Sequence, residues 1–370
     1  MPENKKIKQP SNFTVKLNAW FTDHLTRVPF VEKMLFVHHL QIMTRAGLSI
    51  ISALKVLSEE IANKKLKKII VQVKLEVEKG RQLSEVLSDY PKIFPEVYVS
   101  MIAAGESSGK LEESLEQVSY QMKQSNELNS RIRGALIYPA VVLTAMVGIS
   151  IEVVFFVLPK VMIMFEEFNA ELPLPTKILI FIVKSAQNYG LWMLIGLIVL
   201  IFFIRWLIKK PDIKKTLHKT TLRLPIFGAV AKKINLARFT LTLSSLLQSG
   251  IPIIEAARIT ADVQSNLTYR AGLLLVAEEL KKGEALSKIL TRSPRIFPPI
   301  VTEMIMVGEE SGQVEQMLKE LADYYGSEVD ATLKNFSTII EPVMILIMGL
   351  GVAGIAVAVI MPMYSLAQSF

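Results

Sequence analysis

The heptapeptide AGESSGK, residues 104–110, is the stretch of this 370-residue chain whose composition first suggests chemistry. A glycine-rich loop ending in lysine can cradle phosphates with its backbone amides. Three features argue against that use here. Only three residues separate Gly105 from Gly109 where a phosphate loop has four, Leu111 stands where a magnesium-binding hydroxyl belongs, and no strand-like run precedes the segment. A second copy, VGEESGQ at 307–313, carries Gln313 in place of the lysine. The pattern suits a joint between two helices, with Gly109 and Gly312 as N-caps and Glu112 and Glu315 at the third helical position, where the dipole favours anions. A second reading stands beside it, in which Gly105, Glu106, Gly109, Gly308, Glu309 and Gly312 contact a partner or another subunit.

Other candidates thin out in the same way. GLGVAG at 349–354 fits the dinucleotide fingerprint, but it lies in an uncharged apolar run. Gly349, Ala353 and Val357, with Gly354 and Ala358, are there small residues at helical spacing, suited to close helix packing in a bilayer. The four histidines (His24, His38, His39 and His218) lack HExxH spacing, and the absence of cysteine excludes disulfides, thiolate metal sites and cysteine nucleophiles. Glu59–Glu60 and Glu112–Glu113 fall on polar helix faces. The run KKLKK at 64–68 is a solvated face or a site for an acidic partner, and with no aromatic platform beside it nucleic acid is not implied. No catalytic, cofactor-binding or metal-ligating set emerges. Glu152 differs from the rest. It is the one charge in an apolar run of 24 residues, and an ionisable group inside a membrane span is a functional candidate by default.

The elements that would position these residues follow from hydropathy. Hydrophobic residues make up 51% of the chain and are concentrated in three segments, 135–158, 191–208 and 342–362, each long enough to cross a bilayer. Lys/Arg in the flanks set the orientation. Arg131 and Arg133 precede the first span, and a dense set from Arg205 through Lys219 to Arg223 follows the second, suited to anionic headgroups. Residues 1–134 and 209–341 are therefore expected in the cytoplasm, and the loop 159–190 and tail 363–370 outside. The net charge of +8 is then mostly a topology signal. The first 20 residues carry no apolar signal-peptide core. Residues 1–32 form a polar arm in which Phe13, Leu17 and Trp20 share a helical face, either as an interfacial amphipathic helix or packed on the first domain.

An internal repeat organises the rest. Gly47, Gly80, Pro91, Phe94, Pro95, Gly105, Glu106, Gly109, Pro139 and Pro159 recur 203 residues later as Gly250, Gly283, Pro294, Phe297, Pro298, Gly308, Glu309, Gly312, Pro342 and Pro362. Residues 80–110 and 283–313 agree at 14 of 31 positions without a gap. The partner of Glu152 is Ile355, so the repeated scaffold does not itself need the carboxylate. Two repeats of like orientation, each leaving through its terminal span, need one further crossing between them, which 191–208 supplies. Stripes such as Phe36, Leu40, Met43 and Gly47, or Leu111, Leu115, Val118 and Met122, have helical spacing. About six helices per repeat are expected, near 33–46, 50–60, 63–79, 82–89, 95–105 and 110–134, with Ser49 capping the second and Pro252 early in its counterpart. The last helix of each repeat should run on into its span as a rod bent at Pro139 or Pro342 near the membrane entrance. The fold class is all-α: two repeated cytoplasmic six-helix bundles plus three transmembrane helices.

In combination these motifs resemble the type II secretion F-domain family, the inner-membrane platform proteins of type IV pilus assembly (PilC-like) and type II secretion (GspF-like). The resemblance covers about 33–366. It rests on the glycine closing helix one (Gly47, Gly250), G-x-x-L-S (80–84, 283–287), P-x-x-F-P (91–95, 294–298), G-E-x-S-G (105–109, 308–312), and the YP and EP that open the spans. It implies a non-enzymatic, cofactor-free, oligomeric protein of the bacterial cytoplasmic membrane. The implied partners are a cytoplasmic hexameric ATPase, pilins or pseudopilins, other inner-membrane assembly proteins and membrane lipids. Pilus, competence and secretion roles remain open within the family. A membrane-anchored helical receptor or sensor scaffold is the alternative from another class.

Overall fold

The computed structural model describes residues 27–157, 159, 174–224 and 227–368. The expectations for Phe13, Leu17 and Trp20 in the arm, and for the loop over 160–173, lie outside the described residues. Repeat one consists of α1 (Phe30–Arg45), α2 (Ile50–Glu60), α3 (Lys64–Glu78), α4 (Leu83–Ser88), α5 (Glu96–Ser107) and α6 (Leu111–Glu152). The connector carries α7 (Leu174–Lys209) and α8 (Pro211–Thr221). Repeat two follows with α9 (Phe227–Gln248), α10 (Ile253–Val263), α11 (Leu267–Leu280), α12 (Leu286–Thr291), α13 (Pro299–Ser311) and α14 (Val314–Gln368). The described residues contain no strand.

Local chemistry sets the helix ends. The Ser49 hydroxyl accepts the Ser52 amide at 3.2 Å, and Asn63 accepts the amides of Lys65 and Leu66 at 3.0 and 3.1 Å. Asn266, 203 residues after Asn63, repeats the cap on Thr268 at 2.8 Å. Pro252 stands at the N-cap of α10, one position before the helix proper. The glycines with positive φ among the described residues are Gly47, Gly80, Gly109, Gly250, Gly283 and Gly312, which are the repeated motif glycines. At Gly47 (φ +85°) a Cβ would meet no atom within 4 Å, so conformation and not space demands glycine.

Each repeat packs around the same aromatic pair. Phe36 of α1 lies 5.9 Å from Phe94 of the P-x-x-F-P turn, and Phe239 of α9 lies 5.3 Å from Phe297. Leu54, Leu66, Ile70, Leu83 and Leu115 complete the first core and are fully buried. The chain divides into two compact units. One joins the described residues up to Leu128 with Ile234–Gly326, so both bundles lie in a single unit; the other holds Asn129–Lys233 with the residues from Ser327 onward.

Helices α6 and α14 are each long and apolar enough to cross a membrane, and none of the most apolar 18-residue stretch of α6 is buried. Ile137 and Val141 on α6, and Leu346, Leu350 and Val352 on α14, are exposed. Both helices run unbroken through Pro139 and Pro342, and Pro139 leaves the Ala135 carbonyl without its helical donor. Helix α7 has 36 residues, about 54 Å at helical rise. Near its end the Lys210 ammonium lies 4.4 Å from the Trp206 ring, an aromatic–basic pair of the kind found at membrane interfaces. Between the repeat helices and α9, Arg131 pairs with Asp330, and Lys233 bonds Glu328 at 2.6 Å and Thr332 at 2.8 Å.

One surface network is inverted between the repeats. Arg81 pairs with Asp89 at 3.1 Å, and at the equivalent positions Glu284 pairs with Arg292 at 2.7 Å. Glu76 and Glu279, equivalent to each other, serve both networks, bonded to Lys79 and Lys282 at 2.7 Å each. The hydrogen bond from the lysine, ahead of its charge, lowers the pKa of each glutamate from 4.5. A carboxylate depressed on folding contributes stability above its unfolded pKa, lost as pH falls through the lower folded value. The doubly substituted chain Glu76→Gln/Glu279→Gln should therefore lose less stability than the parent between about pH 6 and about pH 3. Urea titrations of the detergent-solubilised chain at both pH values measure this, and equal losses would remove the assignment. Separately, Gly47→Ala should lower stability by about 1 kcal/mol through left-handed strain, read from the same titration at neutral pH.

Candidate functional site

The G-E-x-S-G segments prove to be joints that lock one helix to another. Helix α4 begins without a cap from its own residue Gln82. The Glu106 carboxylate, arriving from α5, fills that place. It accepts the Leu83 amide at 2.6 Å and the Ser84 amide at 2.8 Å, and it also takes the Ser84 hydroxyl. Repeat two does the same with Glu309, which accepts the amides of Leu286 at 2.5 Å and Ser287 at 3.2 Å together with the Ser287 hydroxyl. The L-S of G-x-x-L-S and the E of G-E-x-S-G are thus one interaction split across 22 residues of chain. An anion at the positive end of a helix, accepting otherwise bare amides, is favourable on both counts.

The glycines of the same motif have two different tasks. A Cβ on Gly105 would overlap the Ser114 side chain, and one on Gly308 would approach Val314 Cα to 2.9 Å, so each permits α5 on α6, or α13 on α14, to close tightly. The Ser114 hydroxyl uses that closeness to donate to the Met101 carbonyl. Gly109 (φ +71°) and Gly312 (φ +69°) terminate the preceding helices in the left-handed conformation. The amides of Lys110 and Gln313 return to the carbonyls of Gly105 at 2.8 Å and Gly308 at 2.7 Å. This corrects the assignment of Gly109 and Gly312 as N-caps. They end α5 and α13, while Lys110 and Gln313 open the next helices, which puts Glu112 and Glu315 at the second helical position. The amides that a phosphate would need are used within the joint. Glu106 and Glu309, candidates for partner contact, have their carboxylates occupied inside their own repeats.

A second constellation joins the repeats. Gln121 of α6 is buried at 3% exposure; its amide donates to Thr242 Oγ1 of α9 at 3.1 Å and accepts the Ser245 hydroxyl at 2.9 Å. Arg258 of α10 bonds Glu96 of α5 at 2.7 Å. Nearby, burial pushes the Tyr98 phenol up to about 12, opposed by a hydrogen bond with Ser125 and the charge of Arg238. A groove of about 920 Å³ opens beside this seam, lined by Ala104, Lys110 and Gln117 from repeat one and by Gln248, Ile251 and Pro252 from repeat two. Sequence reasoning missed the seam. Its signal was the hydroxyl run Thr240, Thr242, Ser244 and Ser245, interleaved with Leu241 and Leu243, where repeat one has Val37, His39, Gln41 and Ile42.

Glu152 lies at the end of α6 and is exposed, directly before a π-helical turn, Val153–Val157. Among the described residues no group of His, Asp and Glu is arranged to hold a metal ion.

Both bundles with their terminal helices match the family described as Type II secretion system (T2SS), protein F, at residues 36–159 and again at 239–362. The chain belongs to this family. It is 31% identical to the type IV pilus assembly protein PilC of Myxococcus xanthus over 334 residues, 90% of this chain and 80% of that protein. It is 33% identical to the type II secretion system protein F of Vibrio cholerae over 328 residues, 89% of this chain and 80% of that one. The PilC of Thermus thermophilus is 33% identical over 347 residues, 92% and 85% of the two chains. The two matched segments begin 203 residues apart, the offset of the motif pairs.

Removing the carboxylate tests the joint. Glu106→Ala should destabilise the chain by about 1–3 kcal/mol because two amides lose their acceptor, and Glu106→Gln, which keeps one acceptor oxygen, by less. Unfolding midpoints in detergent give the order, and equal effects of the two substitutions would deny the carboxylate its capping role.

Proposed function

We propose that this chain is the inner-membrane platform of a type IV pilus or type II secretion pseudopilus assembly machine, and that it couples a cytoplasmic hexameric ATPase to the insertion of pilin subunits into the fibre. The observation that carries the reading is the doubled F-type repeat spanning nearly the whole chain, in relatives named for pilus assembly and for type II secretion alike. The physical features agree with a mechanical rather than a chemical task. Two helical bundles offer surface for a motor, and each ends in a helix that continues without interruption into an apolar segment. On this reading the protein is a non-enzymatic, multi-pass component of the bacterial cytoplasmic membrane. It crosses three times, through 135–158, 191–208 and 342–362, with the bundles and N-terminus cytoplasmic and the C-terminus outside.

Deleting the gene should abolish surface fibres, while the purified ATPase retains its hydrolysis rate. Electron microscopy of the deletion and complemented strains decides the first point, and normal fibres in the deletion strain would sink the proposal. Glu152 is assigned a role in the bilayer, where its position before the π-helical turn gives the helix a local change of register. Glu152→Gln should leave the chain folded and in the membrane but reduce fibre output. Unchanged output at equal membrane abundance would remove Glu152 from the mechanism.

A further inference from the structure

The two repeats share every helix but do not bury the same surfaces. At the seam, repeat one contributes α5 and α6 and repeat two contributes α9 and α10. Each repeat owns both faces, so one copy of each is left over: α1–α2 of repeat one and α13–α14 of repeat two. The leftover faces are apolar and exposed. On α1, Leu35 and Ile42 are 42% and 48% exposed, whereas Ser245, the equivalent of Ile42, is 2% exposed inside the seam. On the other face Met306 and Val307 are exposed, at the positions of Ala103 and Ala104, which line the groove at the seam. Tyr324, 42% exposed, stands where Gln121 stands in repeat one.

Charge gives the pairing its register. Gln117 and Gln248 line the groove from opposite repeats. Their equivalents on the leftover faces are Glu320 and Arg45, both exposed and opposite in charge. A neutral pair inside the chain thus corresponds to a complementary pair on the two open faces.

We propose that the α13–α14 face of one copy docks on the α1–α2 face of a second copy, reproducing between chains the seam that joins the repeats within one. The contact is head-to-tail. It sets Tyr324 of one chain against His39 and Ile42 of the next, as Gln121 is set against Thr242 and Ser245, and brings Glu320 to Arg45. The turn at Gly308–Gly312 then faces the Gly47 turn of the neighbour. A heterologous contact of this kind propagates until it closes into a ring, and anchoring in a bilayer restricts successive copies to rotation within the membrane plane. Opposite charges fix the register and reject misaligned encounters.

The chain has no native cysteine, so placed thiols report without background. Ile42→Cys and Tyr324→Cys are made separately in the full-length protein, given different tags and co-expressed in membranes. Oxidation or a short bis-maleimide should join the two tags in a product of twice 41.4 kDa, and neither variant alone should give it. Adding Arg45→Glu or Glu320→Arg should cut the yield about tenfold or more, as a like-charge contact costing over 1.4 kcal/mol would. Combining the two reversals should restore it. Melting curves of the uncrosslinked variants show that the fold is kept. Three results would overturn the proposal: no product from the pair, a product from Ile42→Cys alone, or no recovery in the double reversal. So would a thiol at position 42 that is shielded from maleimide in the whole chain and becomes reactive once residues 1–26 are deleted, since the arm would then be the occupant. The readout is crosslinking rather than fibre formation, so its failure leaves the platform assignment untouched.

Discussion

A carboxylate at the end of one helix, set against the bare amides that open another, is the contact on which each bundle depends. Helix α4 has only six residues and no cap of its own, so by itself it would be among the least stable elements of the fold. Glu106 supplies the missing acceptors, and Gly105 beside it lets α5 reach the start of α6. The same two residues thereby fix three helices. The core pair of Phe36 and Phe94 is held in place by this arrangement, because Phe94 lies in the turn between α4 and α5. Repeat two reuses the device atom for atom with Glu309, Gly308 and Phe297. Two motifs that look separate in the sequence are thus the donor and acceptor of one interaction.

Much of this was legible before any coordinates. Glycines at fixed offsets, proline-bounded turns and apolar stripes are local signals, and they located six helices per repeat to within a residue or two at most ends. The N-cap reading of Gly109 and Gly312 failed for a physical reason. Glycine is tolerated at either end of a helix, and only the sign of φ separates the two uses. Gln121 was illegible for a different reason. Comparing the repeats emphasises the positions where they agree, and the seam is built where they differ: Gln121 against Tyr324, Ser245 against Ile42. A buried polar cluster among otherwise apolar stripes looks, in one sequence, like an exposed face.

The seam also explains why doubling the motif did not yield two independent domains. A bundle whose first helix is packed on both sides, as α9 is, needs a neighbour to cover its hydroxyls, and repeat one provides it through Gln121. Duplication therefore produced one composite unit holding both bundles, rather than a string of equivalent modules. Helices α6 and α14 carry their exposed apolar residues past an interior proline, where a missing hydrogen bond makes bending easier than elsewhere along the helix.

The inverted ion pairs have a meaning for the nascent chain. During synthesis two bundles of the same fold are made in succession, and exchange of matching segments between them is a characteristic hazard of repeated sequences. If the α3–α4 hinge of one repeat were traded for that of the other, Arg81 would face Arg292 and Glu284 would face Asp89. Correct folding joins opposite charges at both sites, and a swapped fold joins like charges at both. Each bundle keeps an opposite-charge pair in its own context, and the reversal gives each half of the chain a distinct electrostatic signature by which it pairs with itself.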